Sequence, residues 1–94
     1  MRIRWLDQAV ADLVAVRSHI AQDNPGAAAE VAQRIRQAVA ILTDYPAAGR
    51  PGRVPDTREL VVTGTAYILP YRVRSGVVEI LRVLHGARKW PETF

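Results

Sequence analysis

The 94 residues predict an α+β fold of order βααβββ, a helical hairpin packed on one face of a small curled antiparallel sheet. Three observations carry this expectation. Two stretches of the first half repeat apolar residues at helical spacing, with Asn24-Pro25 between them. Three runs of the second half read as strands joined across Gly64-Thr65 and Ser75-Gly76. At 94 residues with 49% apolar content, the chain has material for one core, so residues 1–94 are expected to form a single domain.

Arg2 to Trp5 reads as a short strand with Ile3 and Trp5 on one face and Arg2 and Arg4 on the other. Asp7 is the expected N-cap of a helix running to about Asp23, its apolar stripe formed by Leu6, Val10, Leu13, Val16 and Ile20. Asn24 then caps a second helix whose first position is Pro25, where the missing N–H costs nothing. That helix carries Ala28, Val31, Ile35, Val39 and Leu42 on one stripe and is expected to end near Asp44, ahead of Pro46. Two amphipathic helices joined by so tight a break form an antiparallel hairpin.

Residues 45–57 hold three prolines and two glycines and read as a loop, long for a compact domain. The three strands follow at 58–63, 66–74 and 77–85. In the middle one, Tyr67, Leu69, Tyr71 and Val73 point one way, and Ile68, Pro70 and Arg72 the other. Pro70 cannot donate to a ladder, which calls for an edge or a bulge beside it. In the last strand Leu81 and Val83 are expected to face the helices, with Arg82 beside Arg72 on the open face.

Charge narrows the function. Residues 1–44 hold five basic and five acidic residues, whereas residues 45–94 hold eight basic and four acidic, so the whole net charge of +4 lies in the second half. Twelve of the 13 basic residues are arginine, a planar, permanently charged fork suited to phosphate and carboxylate. The bland reading is an arginine-rich composition serving solubility, yet the asymmetry points to an anionic partner. With no cysteine there is neither a disulfide framework nor a thiolate metal site. The N-terminus lacks the apolar segment of a signal peptide and no run is long enough to span a bilayer. A cytoplasmic protein without membrane contact is expected.

No nucleophile triad, metal cluster or phosphate-cradling glycine loop is present in the pattern, and no cofactor is expected. Metal-free RNA cleavage remains chemically open, because it needs only proton-transfer groups and cations for the phosphorane charge. Arg72, Arg82 and Arg88 could supply the charge and His85 one proton-transfer group. Against this stand solvated charge for the arginines, a backbone-bonded strand end for His85, and a core plug for Trp90. Strand parity also turns His85 away from Arg82, so a shared site would need a bend at Gly86. His19, in the middle of the first helix, reads as a surface residue.

Several segments resemble the RelE/ParE toxin superfamily. They are Ala9-x-x-Asp12-Leu13, Asp23-Asn24-Pro25-x-Ala27-Ala28, Tyr45-Pro46-x-x-Gly49-Arg50-x-Gly52, Thr57-Arg58-Glu59-Leu60-Val61-Val62 and Tyr71-Arg72-Val73. The last is Leu81-Arg82-Val83-Leu84-His85-Gly86-Ala87-Arg88-x-Trp90. Each is weak alone, but the ordered set spans nearly the whole chain. The resemblance implies the toxin of a type II toxin–antitoxin module of the plasmid-stabilisation kind. Such a toxin arrests growth until a cognate antitoxin wraps it, and the complex binds its operator DNA. A basic C-terminal half suits an acidic antitoxin segment.

The superfamily divides by target: ParE-like members poison DNA gyrase, and RelE-like members cut mRNA on the ribosome. RelE-like members often carry basic residues in the central loop, an Arg on the middle strand, and a tail in which His-Arg precedes a Tyr. Arg50, Arg53 and Arg72 match the first two features. Gly86 replaces the Arg after His85, however, and Trp90 stands near the place of the Tyr. Indole cannot donate a catalytic proton, so the sequence leans towards a non-enzymatic gyrase poison. The alternative is a metal-independent endoribonuclease using Arg72, Arg82 and His85. A further alternative is a module that binds only antitoxin or DNA. The candidate binding set is Arg50, Arg53, Arg58, Arg88, Lys89 and Trp90.

Overall fold

A computed structural model describes residues 1–94. Eight elements follow in order: β1 (Arg2–Trp5), α1 (Asp7–Ala21), α2 (Pro25–Ile41), β2 (Arg50–Pro51), β3 (Arg58–Val61), β4 (Tyr67–Arg74), β5 (Val77–Ile80) and β6 (Leu84–His85). The sheet order is β1-β5-β4-β3-β2, with β6 also pairing β4. The sheet is mixed rather than antiparallel throughout, because β1 runs parallel to β5, placing Arg4 opposite Glu79. The chain between these parallel neighbours runs through both helices and then β2, β3 and β4 before it returns beside β1 as β5.

The Asn24 side chain accepts a hydrogen bond from the Ala27 N–H at 3.0 Å, so α2 begins as its capping residue and Pro25 dictate. It ends at Ile41 with Leu42 at the cap position, three residues before the expected end near Asp44. The start of α1 differs from expectation. Leu6 takes the cap position without a side-chain bond, and Asp7 is the first helical residue, where its charge faces the positive helix end. Ala9 is the fully buried residue of α1, and Val10 and Val14 face solvent at 47% and 61% exposure. The helix joins the core through Ala9, with Leu13 and Val16 packed against it.

One core lies between the helix pair and the sheet. Ile35, Val39 and Leu42 of the second helix and its end meet Leu69, Tyr71, Val78, Ile80 and Val83. The turn after β4 puts both Ser75 and Gly76 at positive φ, 51° and 74°, which joins Arg74 directly to Val77.

The expected last strand is two strands separated by a bulge. Ile80 pairs with Tyr71 and Leu84 with Ile68, so four steps of one chain face three of the other. Pro70 lies in this interval, and its carbonyl accepts from the Leu81 N–H at 2.9 Å. Its missing donor therefore falls where the partner chain bows away, which is how a proline sits in a central strand. The bulge also corrects the expected facing. Val78 and Ile80 join the core and Leu81 is buried outside it, then the extra residue returns Val83 to the core. A short β2 inside the predicted 45–57 loop pairs with β3, Arg50 opposite Glu59. No helix is long and apolar enough to cross a membrane.

Candidate functional site

Three carboxylates take up five of the arginines. Glu59 of β3, only 3% exposed, accepts from Arg50 Nη2 at 3.1 Å and lies 3.4 Å from Arg53 Nε. It also accepts the backbone N–H of Arg53 at 2.8 Å, so one buried side chain holds both ends of the turn after β2. Glu79 of β5 accepts from Arg72 Nε at 2.7 Å, with Arg4 Nη1 at 3.8 Å on its other side. The β1-β5-β4 register dictates this row, since Arg4, Glu79 and Arg72 are lateral neighbours on the open face. The hydrogen bond from Arg72 is the main cause that holds the Glu79 carboxyl below its ordinary pKa.

Arg82 turns towards α1 instead of standing beside Arg72. Its Nε and Nη2 donate to the two oxygens of Asp12 at 2.6 and 3.1 Å, and Asp12 also accepts the Val83 N–H at 3.0 Å. The hydrogen bond with Asp12 is the chief cause that raises the Arg82 pKa. Arg72 and Arg82 border one shallow depression, yet each guanidinium is committed to a different carboxylate. Alternation is the physical reason, because Arg82 shares the parity of Val78 and Ile80 and so falls on the helix side, where Asp12 meets it.

Arg58, also expected to bind, is a brace. Its Nη1 donates to the Gly49 carbonyl at 2.9 Å. Beside it the buried Tyr71 hydroxyl donates to the Pro46 carbonyl and accepts the Gly49 N–H, both at 2.8 Å. A Cβ on Gly49 would stand 2.6 Å from the Tyr71 ring, so this close approach needs glycine.

The tail residues lie together. A cleft of about 360 Å³ opens between α1, β6 and the following turn, with His85, Arg88, Lys89 and Trp90 on its lining. Arg88 and Lys89 are exposed and make no ion pair. Trp90 donates its indole N–H to the His85 carbonyl at 3.0 Å, and the Arg53 guanidinium carbon lies 3.5 Å from the centre of its ring. That stack ties the loop after β2 to the tail and to Glu59. His85 stands edge-on to Tyr67, and its Nδ1 accepts the Ala87 N–H at 3.1 Å. This bond engages the His85 Nδ1 with the tail backbone.

The geometry thus gathers His85, Arg88, Lys89 and Trp90 at the cleft, with the Arg50–Arg53–Glu59 cluster joined to them through the stack of Arg53 on Trp90, and leaves Arg72 with Glu79. Sequence reasoning missed Asp12, Glu59 and His19. His19 lines the cleft, two turns from Asp12 and one from Val16 on the same helix face, a spacing visible in the sequence. Asp12 and Glu59 stand in segments that carry the family resemblance, but nothing local marks their pairing, since their partners lie on other elements. No three His, Cys, Asp or Glu side chains converge on a point.

Residues 3–90 match the family described as the ParE toxin of the type II toxin–antitoxin system parDE. The chain is 50% identical over 91 residues to Y4kP of Sinorhizobium fredii, a protein named as a toxin, covering 97% of this chain and 94% of that one. It is 40% identical over 87 residues to toxin RelE2 of Caulobacter vibrioides, covering 93% and 97%. Among solved structures it resembles one described as the chromosomal ParDE toxin–antitoxin system of P. aeruginosa. The TM-score there is 0.79 at 32% identity, over 88% of this chain and 92% of that chain. With the family matched over residues 3–90 and the fold over 88% of its length, the chain belongs to the RelE/ParE superfamily of type II toxin–antitoxin toxins.

Proposed function

We propose that the chain arrests growth by poisoning DNA gyrase without cutting nucleic acid, acts in the cytoplasm, and is neutralised by a cognate antitoxin. The toxin–antitoxin complex then binds its own operator DNA. The observation that carries this reading is the commitment of Arg72 to Glu79 and of Arg82 to Asp12. A nuclease of this kind needs free cations beside a proton-transfer pair, and here Arg72 and Arg82 are each held by a carboxylate while the Nδ1 of His85 is engaged by the Ala87 N–H. Gly86 and Trp90, in place of Arg and Tyr, act in the same direction. The matched ParE description and the ParDE structure also favour it.

The second reading, a ribosome-dependent endoribonuclease through Arg72, Arg82 and His85, draws on the relative named RelE2. The purified chain, titrated into a gyrase supercoiling reaction, separates the two. Loss of supercoiling with accumulation of cleaved DNA, and intact mRNA in translating extracts, supports gyrase poisoning. Codon-positioned mRNA cuts that vanish in Arg72→Ala or His85→Ala support the nuclease and overturn the first reading. If overexpression leaves growth unaffected, the chain is a binding module only.

A further inference from the structure

We propose that the outward face of α1 pairs with the same face of a second copy of this chain. The two helices run antiparallel, with Asp7 of each copy meeting Arg17 of the other. The surface is separate from the cleft and independent of which target the toxin strikes. Ala9, Leu13 and Val16 point to the core. The opposite stripe of the helix therefore holds Asp7, Val10, Val14, Arg17 and Ala21, at alternating spacings of three and four residues. Those are the spacings of a coiled-coil seam. Asp7, Val10, Val14 and Arg17 are all exposed, so the seam has no occupant within the chain. A helix whose outer side only meets water has no need of valines there. The second helix, by contrast, turns Glu30, Gln33, Arg34 and Gln37 to solvent.

The charges commit the seam to a second copy, because it is its own complement when reversed. Asp7 and Arg17 lie five residues either side of position 12, and Val10 and Val14 lie two either side. Two antiparallel copies crossing at that level set Asp7 beside the partner's Arg17 and Val10 beside the partner's Val14. The two-fold axis repeats both contacts, so two valine layers are flanked by an ion pair at each end. A parallel pair would instead oppose Asp7 to Asp7 and Arg17 to Arg17, so the charges also fix the direction. Neither side chain has an ion pair within its own chain. The free edge of β1 offers no such match, since a second copy added there gathers Arg2 and Arg4 of both chains on one face. One helix from each copy makes a small interface, so the dimer is weak and depends on concentration.

Sedimentation equilibrium of the full chain tests the pairing at low ionic strength, where surface charges are least screened. The wild type should pass from monomer towards dimer between about 10 µM and about 1 mM, the range of a weak interface. Asp7→Arg and Arg17→Asp should each weaken the dimer about tenfold or more, because each sets like charges opposite at both ends. An equimolar mixture of these two variants should then pair to within about threefold of the wild type, since the mixed dimer again has opposite charges at both ends. A variant that had lost its fold could not be rescued in this way. Val14→Gln, at an exposed position that leaves the core alone, should also weaken the dimer. A wild type that stays monomeric throughout the range overturns the proposal. So do single variants that dimerise as the wild type does, which would place the contact on another surface. A mixture that stays monomeric while the wild type dimerises overturns it as well, because the charges would then not meet across the axis.

Discussion

Asp12 and Arg82, seventy residues apart in sequence, are joined by two hydrogen bonds of 2.6 and 3.1 Å. The pair fastens the first helix to the bulge between β5 and β6, and the Val83 N–H on the same carboxylate closes the joint. Both side chains are largely shielded, Asp12 at 13% and Arg82 at 24% exposure, so a lone partner would be left poorly solvated. Asp12→Ala should cost about 2–4 kcal/mol of stability in urea unfolding, because it strands the guanidinium and a backbone donor. Asp12→Asn should cost less than Asp12→Ala, since it keeps an acceptor for Val83.

Glu59 does for the loop what Asp12 does for the helix. Glu59→Ala releases both side-chain contacts and the Arg53 N–H, which should cost about 1–3 kcal/mol and loosen residues 50–57. Limited proteolysis reads the loosening directly. Trypsin should cut after Arg53 faster in Glu59→Ala than in the wild type, whereas Arg50 is protected in both by the following proline. Because Arg53 stacks on Trp90, the same variant should also change Trp90 emission.

Tyr71→Phe removes a buried hydroxyl that serves Pro46 and Gly49 together, leaving the Gly49 N–H without a partner. A cost of about 1–3 kcal/mol is expected in thermal or urea unfolding. Burial raises the Tyr71 pKa above its ordinary value, so folding favours the protonated phenol. Its contribution is fully present below the unfolded tyrosine's pKa and is lost as pH climbs from there through the raised folded value. The alkaline stability limb of Tyr71→Phe should be flatter than that of the wild type.

Glu79 gives the acid limb. Its folded pKa is lowered, so its contribution is complete above the ordinary carboxylate range and disappears as pH falls through the depressed folded value. Arg72→Met removes the main cause of the shift and should flatten the pH dependence of the urea midpoint below about pH 5. An unchanged acid limb in Arg72→Met would show that Glu79 is held by Arg4 instead.

Much of the fold is legible because it is written in local terms. Asn24-Pro25 marks the helix break, Ser75-Gly76 the hairpin, and the α2 stripe the face that packs, each through constraints acting within a few residues. Pro70 announces the bulge, since a residue without an N–H has to fall where no ladder bond is required. The facing of Leu81 and Arg82 could not be read this way, because the pairing of Ile80 with Tyr71 decides which parity of the strand faces the helices. Nor could β2, which is two residues long and exists only because Arg50 meets Glu59 across the chain.

The sequence by itself determined the superfamily, the helical hairpin, the alternation of the strands, and the concentration of positive charge in the second half. Only the tertiary structure decided which of those charges are free. Charge balance along a chain counts residues, while ion pairing depends on which side chains meet, and the meetings here join α1 to the bulge, β3 to the loop, and β5 to β4. Glu59, Glu79 and Asp12 thereby withdraw Arg4, Arg50, Arg53, Arg72 and Arg82, and leave Arg88 and Lys89 beside a cleft with nothing of their own to hold.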